Sequence, residues 1–217
     1  MFYDLAAQQP STPKAYLGRD GKNTYHVKRT LLGRAVVRDP KTVTGVTLHQ
    51  TACRFDVTKA NVIRHGGEAQ ARRRRALDVA AHMTCFQQGD AVLAYPMLWY
   101  VYHGNTLNAS TFGLELEGLF DGDSYEPRGF DKLIEAGREG LKVLVDEGRK
   151  LGCPIEFLYA HRQVSSSRRA DPGAMLWREV GIEYGVKVLK LKVNNDFARD
   201  GGRPIPHVWD PTSNQPY

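Results

Sequence analysis

Two histidines and an aspartate stand where a hydrolytic centre could be assembled. His49 ends the apolar, β-branched run TGVTLH, and His161 ends the short apolar run PIEFLYAH. Asp171 follows ten residues after His161 in HRQVSSSRRADPG, a loop rich in Ser and Arg that closes on a turn-forming Asp-Pro-Gly. Apolar runs of this length read as buried strands, and loops at the strand ends of α/β folds are where sites are built. If the loop folds back, Asp171 comes beside His161. Two imidazoles and one carboxylate then make a three-ligand set for zinc with a fourth position open, the pattern of a catalytic site. Each position also has a plainer reading, because a lone strand-end histidine is more often a satisfied structural side chain. Cys53, four residues beyond His49, raises a competing chemistry. A nucleophilic thiolate there needs a histidine base within hydrogen-bond reach and a lowered pKa.

The elements that must position these groups are read from the surrounding pattern. KTVTGVTLHQ reads as a buried strand, HMTCFQQGDAVLAYP as two strands about a Gly89-Asp90 turn, and MLWYVYHG, STFGLELEG and PIEFLYAH as further strands. Tyr25 to Pro40 reads as an edge strand or hairpin, and GVKVLKLKV as a late strand. Gly129 to Leu151 is the clearest helix. Its Phe130, Leu133, Ile134, Leu141, Leu144 and Val145 follow the helical period, and Gly152 can cap the end. Shorter helices are expected at Thr58 to His65, in GEAQARRRRALDVAAH and in PGAMLWREV. Residues 1–25, rich in Pro, Gly, Gln and Ser, read as an irregular arm, and 195–217 as an irregular tail. The expectation is a single α/β domain over 26–194: a central mixed β-sheet flanked by helices, with the zinc site at strand ends.

With 217 residues, 41% of them hydrophobic, the chain can bury a sizeable core, and global disorder is excluded. No apolar run approaches the roughly 20 residues that span a bilayer, so no transmembrane segment is expected. The N-terminus lacks a basic stretch leading into an apolar one, so the expectation is synthesis in the cytoplasm without a Sec signal peptide. The net charge of +6 favours anionic partners. Part of the excess sits in ARRRRA, Arg72 to Arg75, which reads first as a solvated helix face. No aromatic residues interleave with it, so nucleic acid is not an expected partner. Cys53, Cys85 and Cys153 are widely spaced and suggest neither a disulfide framework nor a zinc knuckle.

The order of four motifs narrows the choice. TLHQTA, AAHMTCFQQGDAV, HGNTLNASTFGLELEG and AHRQVSSSRRADPG follow one another along the chain. The series resembles the zinc N-acetylmuramoyl-L-alanine amidases of the phage-lysozyme, AmpD and peptidoglycan-recognition-protein superfamily, over about Thr44 to Trp177. The resemblance implies zinc ligands at His49, His161 and Asp171. It implies catalytic roles for Glu115, beside the metal water, and for Arg169, where many relatives carry an oxyanion-binding lysine. Strand alternation puts Glu115 and Glu117 on one face, and the match of GLELEG to the family's GIELEG favours Glu115. Arg169 keeps the lysine's charge but is larger and planar, and Arg168 is its alternative. Ala81 stands where some phage members have a tyrosine, which favours the glutamate-based mechanism. Gln50, at the family's second histidine, fits either a contact behind the metal ligands or one to substrate. With it, His82, His103 and Asn108, in the hairpin and HaG…N segments, are the implied substrate-binding residues, and structural hydrogen bonding is the plainer reading of His82 and His103.

The implied activity is hydrolysis of the amide between N-acetylmuramic acid and L-alanine by zinc-activated water, in peptidoglycan or a muropeptide, by a monomer. A phage endolysin acting on the bacterial cell wall is the leading role. The alternatives are a cytosolic muropeptide-recycling amidase, an exported antibacterial effector and a non-catalytic peptidoglycan-binding protein.

Overall fold

The computed structural model describes residues 1–17, 22–120 and 122–210. The strands, in chain order, are β1 (Phe2–Asp4), β2 (Tyr16–Leu17), β3 (Asn23–Thr24), β4 (Gly45–Gln50), β5 (Met83–Cys85), β6 (Ala91–Leu93), β7 (Thr111–Leu116), β8 (Phe157–Ala160) and β9 (Lys192–Val193). Among the described residues, seven of them form one mixed sheet in the order β1-β6-β5-β7-β4-β8-β9, and β2 and β3 pair separately. Neighbours in the main sheet run parallel except β5 and β6, the hairpin turned at Gly89-Asp90. Every residue of β4 is buried. A strand covered on both faces has no solvent side to mark, so its sequence does not alternate.

The helices are α1 (Lys59–His65), α2 (Glu68–Arg74), α3 (Asp131–Lys150) and α4 (Ala174–Leu176), the last continuing in wider π-type turns through Val186. α3 buries Leu133, Leu141, Leu144 and Val145 against the sheet. Gly137 and Gly140 allow the close approach: a Cβ would stand 2.6 Å from Leu116 at the first and 3.0 Å from Cys85 at the second. Gly152, at φ +87°, turns the chain out of α3 in a left-handed conformation. The main core, with Leu48, Phe112, Leu114, Leu158 and Trp177, lies between the sheet and these helices. A smaller cluster around Phe86, Val92, Tyr95 and Val101 covers the opposite face. Val92 joins it while Ala91 and Leu93 join the main core, as strand alternation requires. No helix among the described residues is long and apolar enough to cross a membrane.

The α/β architecture matches the expectation, but three local readings are corrected. MLWYVYHG and Tyr25 to Pro40 form no strands; single bridges join Val27 to Val101, Val37 to Trp99 and Arg29 to Ala35. The two segments still pair through backbone hydrogen bonds, among them Lys28 N–H to the Tyr100 carbonyl and Tyr100 N–H to the Val36 carbonyl. Val27, Trp99 and Val101 are buried and Val37 and Tyr102 exposed, but the bridges stay isolated and no continuous ladder forms. The arm is not irregular at its start: β1 lies parallel to β6 at the sheet edge. In GVKVLKLKV only Lys192 and Val193 pair, because Val186 still belongs to the helical turns before them. Residues 195–210 lack strands and long helices but fold onto the body, with Trp209 fully buried. Residues 211–217 of the expected tail lie outside the described residues.

Candidate metal centre

β4 and β7 run parallel with His49 opposite Glu115, so both side chains leave the same face of the sheet. β8 pairs Ala160 with Leu48, and His161 opens a 3-10 turn directly after it. The loop then returns. Arg162 N–H donates to the Asp171 carbonyl at 2.9 Å, and Gln50 N–H donates to Asp171 Oδ1 at 2.9 Å. With one carboxylate oxygen so held, Asp171 Oδ2 comes to 3.0 Å from His161 Nδ1, which is 2.9 Å from His49 Nδ1. The three donor atoms lie within 4.8 Å of one another, and no other such group of His, Cys, Asp or Glu gathers among the described residues.

His49 is fully buried. Burial first, then the neighbouring His161 and His103, push its pKa well below the ordinary value, so the ring is neutral at pH 7. A neutral imidazole keeps one lone pair for a ligand. Two imidazole nitrogens and a carboxylate oxygen suit a borderline divalent cation and supply three ligands where four are usual, which leaves one position for water or substrate.

Glu115 and Glu117, which alternation alone leaves equivalent, differ in their partners. Glu117 Oε1 accepts from Phe55 N–H at 2.6 Å, and its Oε2 accepts from Gln87 N–H at 2.9 Å. Its carboxylate ties the segment after β4 to the β5–β6 hairpin. Glu115 instead lines an open groove beside His161, and its Oε2, shielded from solvent, has no hydrogen-bond partner. Burial and then the Asp171 charge hold its carboxyl well above the usual carboxylate range, with Arg168 opposing them.

The groove encloses about 560 Å³, and its walls include Cys53, Asp78, Tyr102 and Arg168. Of the two arginines named for the oxyanion role, Arg168 is the one on the groove wall, which favours it over Arg169. Successive side chains of a turn diverge, so only the turn's register decides between them. That register is set by Arg168 N–H donating to the Ser165 carbonyl and Asp171 N–H to the Arg168 carbonyl.

The substrate-binding expectations divide. His103 and Asn108 line the groove, and Asn108 Oδ1 accepts from Gly104 N–H at 2.6 Å. His103 lies 3.1 Å from His49, and its pKa is pushed down to about 3 by burial and by Arg38. Gln50 and His82 lie behind the groove wall, and their hydrogen bonds favour the bracing and structural readings over substrate contact. The Gln50 amide donates to the Phe120 and Ala170 carbonyls and accepts from Phe120 N–H, bracing the Asp171 loop. His82 is fully buried: Nδ1 accepts from Gly113 N–H at 3.0 Å, so Nε2 carries the hydrogen and donates to the Trp99 carbonyl at 3.0 Å. Cys53 lies on the groove wall, but the histidines of the site are engaged with one another, Asp171 and a backbone carbonyl.

Sequence reasoning missed Arg38, 6% exposed, which holds the groove's underside by donating to the carbonyls of Met97, Asn108 and Thr111. A charged residue inside the apolar stretch AVVRDP was the available signal.

A family model described as N-acetylmuramoyl-L-alanine amidase matches residues 39–174. No curated protein matches the chain. Among solved structures, Drosophila PGRP-LB is similar at 14% identity over 84% of this chain and 94% of its own, with a TM-score of 0.50. The N-acetylmuramoyl-L-alanine amidase LysC from Clostridium intestinale URNW is similar at 16% identity over 70% of this chain and 89% of its own, TM-score 0.47. The Ph2119 endolysin of a Thermus scotoductus bacteriophage is similar at 16% identity over 68% and 90%, TM-score 0.42. At 14% identity the likeness to PGRP-LB is one of fold.

Proposed function

The chain belongs to the N-acetylmuramoyl-L-alanine amidase family, and on that premise we propose that it is a zinc hydrolase cleaving the amide between N-acetylmuramic acid and L-alanine of peptidoglycan. One observation carries the reading. His49, His161 and Asp171 converge from two strand ends and a returning loop, beside Glu115 and its unpartnered oxygen. Zinc held by these three residues would supply a Lewis acid that polarises the amide carbonyl and lowers the pKa of water to about 7.

Glu115 takes the proton of the attacking water as its oxygen bonds to the carbonyl carbon. It then delivers that proton to the alanine nitrogen as the C–N bond breaks; the second water proton passes from the new carboxyl to the amine, leaving a lactyl carboxylate and an ammonium. Raising the carboxyl above the usual carboxylate range makes Glu115 a stronger base toward water than an ordinary carboxylate, and its unpartnered Oε2 is free to take the proton. Arg168 offers its guanidinium from the groove wall to the carbonyl oxygen as that atom becomes negative.

The open groove favours a polymeric wall strand over an enclosed small muropeptide, and so an endolysin-type lytic role. Zinc-loaded protein should release L-alanine-terminated peptides from intact sacculi. A strong preference for soluble anhydro-muropeptides would make it a recycling enzyme. Binding to sacculi without new alanine amino termini would make it a binding protein.

A further inference from the structure

The hydrogen bonds around His103 run in one direction. This groove-lining ring is 6% exposed, and each of its nitrogens has a partner. Nε2 is 3.1 Å from the Thr111 carbonyl oxygen, and Nδ1 is 3.1 Å from His49 Nε2. A carbonyl only accepts, so His103 Nε2 carries a hydrogen. The ring is buried and, among the described residues, no carboxylate pairs with it, so it carries no compensated charge: it has one N–H, and its Nδ1 is an acceptor. His49 Nε2 is therefore the donor. The single hydrogen of the neutral His49 ring is thus placed on Nε2, and its Nδ1 lone pair faces His161 Nδ1, 2.9 Å away, and the Asp171 carboxylate beyond.

We propose that His103 is a positioning residue that fixes His49 in the Nε2–H tautomer and so presents Nδ1 as the metal-binding atom. The second half rests on the metal-centre reading; the tautomer is a property of the metal-free chain. A ligating imidazole commonly donates its other N–H to a fixed acceptor, which sets ring orientation and raises ligand basicity. Here the acceptor is a second histidine, itself anchored to the backbone of β7. The strand is built to admit that ring. His103 lies over Gly113, where a Cβ would stand 2.6 Å from His103 Cγ. The glycine of FGLELEG thus leaves the space that the ring fills.

The test uses the full chain and two readouts besides activity: long-range 1H–15N correlation of the His49 ring in metal-free protein, and zinc affinity by chelator competition. In the wild type His49 should be protonated on Nε2. His103→Leu removes the acceptor and should lose that preference, with zinc affinity falling about 10- to 100-fold. Gly113→Ala, which displaces the ring, should do the same. His103→Asn, whose side-chain oxygen can stand near the Nδ1 position, should retain most of the affinity. Urea midpoints of the metal-free variants report whether each is folded. A wild-type His49 protonated on Nδ1 overturns the proposal, as does a folded His103→Leu protein with undiminished zinc affinity. If the wild type holds zinc no better than His49→Ala, the metal reading falls, and the tautomer measurement still decides the role of His103.

Discussion

His161 and Asp171 are ten residues apart in the chain, yet Nδ1 and Oδ2 meet at 3.0 Å because Gln50 N–H and Arg162 N–H hold the returning loop. At this scale the site separates residues that look alike in sequence. Glu115 keeps an unpartnered oxygen where Glu117 has both oxygens occupied by backbone N–H groups. Glu115→Gln should therefore retain zinc while kcat on sacculi falls about 10²- to 10⁴-fold, the range for loss of a general acid–base group. Zinc content and steady-state peptide release measure the two halves. Arg168 is the arginine on the groove wall. Arg168→Ala should lower kcat about 10²- to 10³-fold with little change in metal content, as loss of an oxyanion donor does. Arg169→Ala should stay near wild type in the same assay, and the reverse ranking would reassign the oxyanion role.

Among the elements, the segment after β9 does more than its irregular sequence suggests. Arg199 N–H donates to the Gln163 carbonyl at 2.8 Å and Arg203 N–H to the Arg162 carbonyl at 2.8 Å, so the tail clasps the turn that begins at His161. Trp209 closes the clasp. It is fully buried, donates from Nε1 to Asp123 at 2.7 Å, and stacks under the Arg162 guanidinium at 4.6 Å. The family match ends at residue 174, so this clasp lies beyond it. Trp209→Ala should cost about 3–5 kcal/mol of stability, the range for a large buried aromatic, and should weaken zinc binding as the loop loosens. Urea unfolding with and without zinc reports both; an unchanged zinc-induced midpoint shift would limit Trp209 to packing. ARRRRA is also drawn inward. Arg72 pairs with Glu68 at 2.6 Å, Arg73 with Asp90 at 2.9 Å and Arg75 with Asp78 at 3.1 Å, leaving Arg74 as the exposed member. The expectation of a solvated face overlooked carboxylates supplied by neighbouring turns and by the hairpin.

For the whole molecule, burying neutral histidines under the sheet makes acid stability a property of the fold. His82 has both ring nitrogens committed, and burial, with Arg38 beside it, holds its pKa well below the ordinary value. Below about pH 6.5 the unfolded chain takes up a proton that the folded chain refuses, so stability is lost as pH falls and is unaffected above that value. Each such ring should cost up to ~1.4 kcal/mol per pH unit. The urea midpoint of metal-free protein should therefore drop clearly between pH 7.5 and pH 5, and equal midpoints would mean that these rings protonate within the fold. By itself the sequence determined the α/β class and the order in which two strand ends and a turn present His49, His161 and Asp171. Those signals are local: apolar runs that stop at His49 and His161, a turn-forming Asp-Pro-Gly, and a helical period over α3. Only the tertiary structure decided which glutamate keeps an unpartnered oxygen, that Arg168 lies on the groove wall, which backbone groups Gln50 and His82 engage, and that β1 and residues 195–210 pack on the body. Each of those depends on which backbone N–H and C=O groups arrive from distant parts of the chain or from the register of a turn, and side-chain type does not encode that arrival.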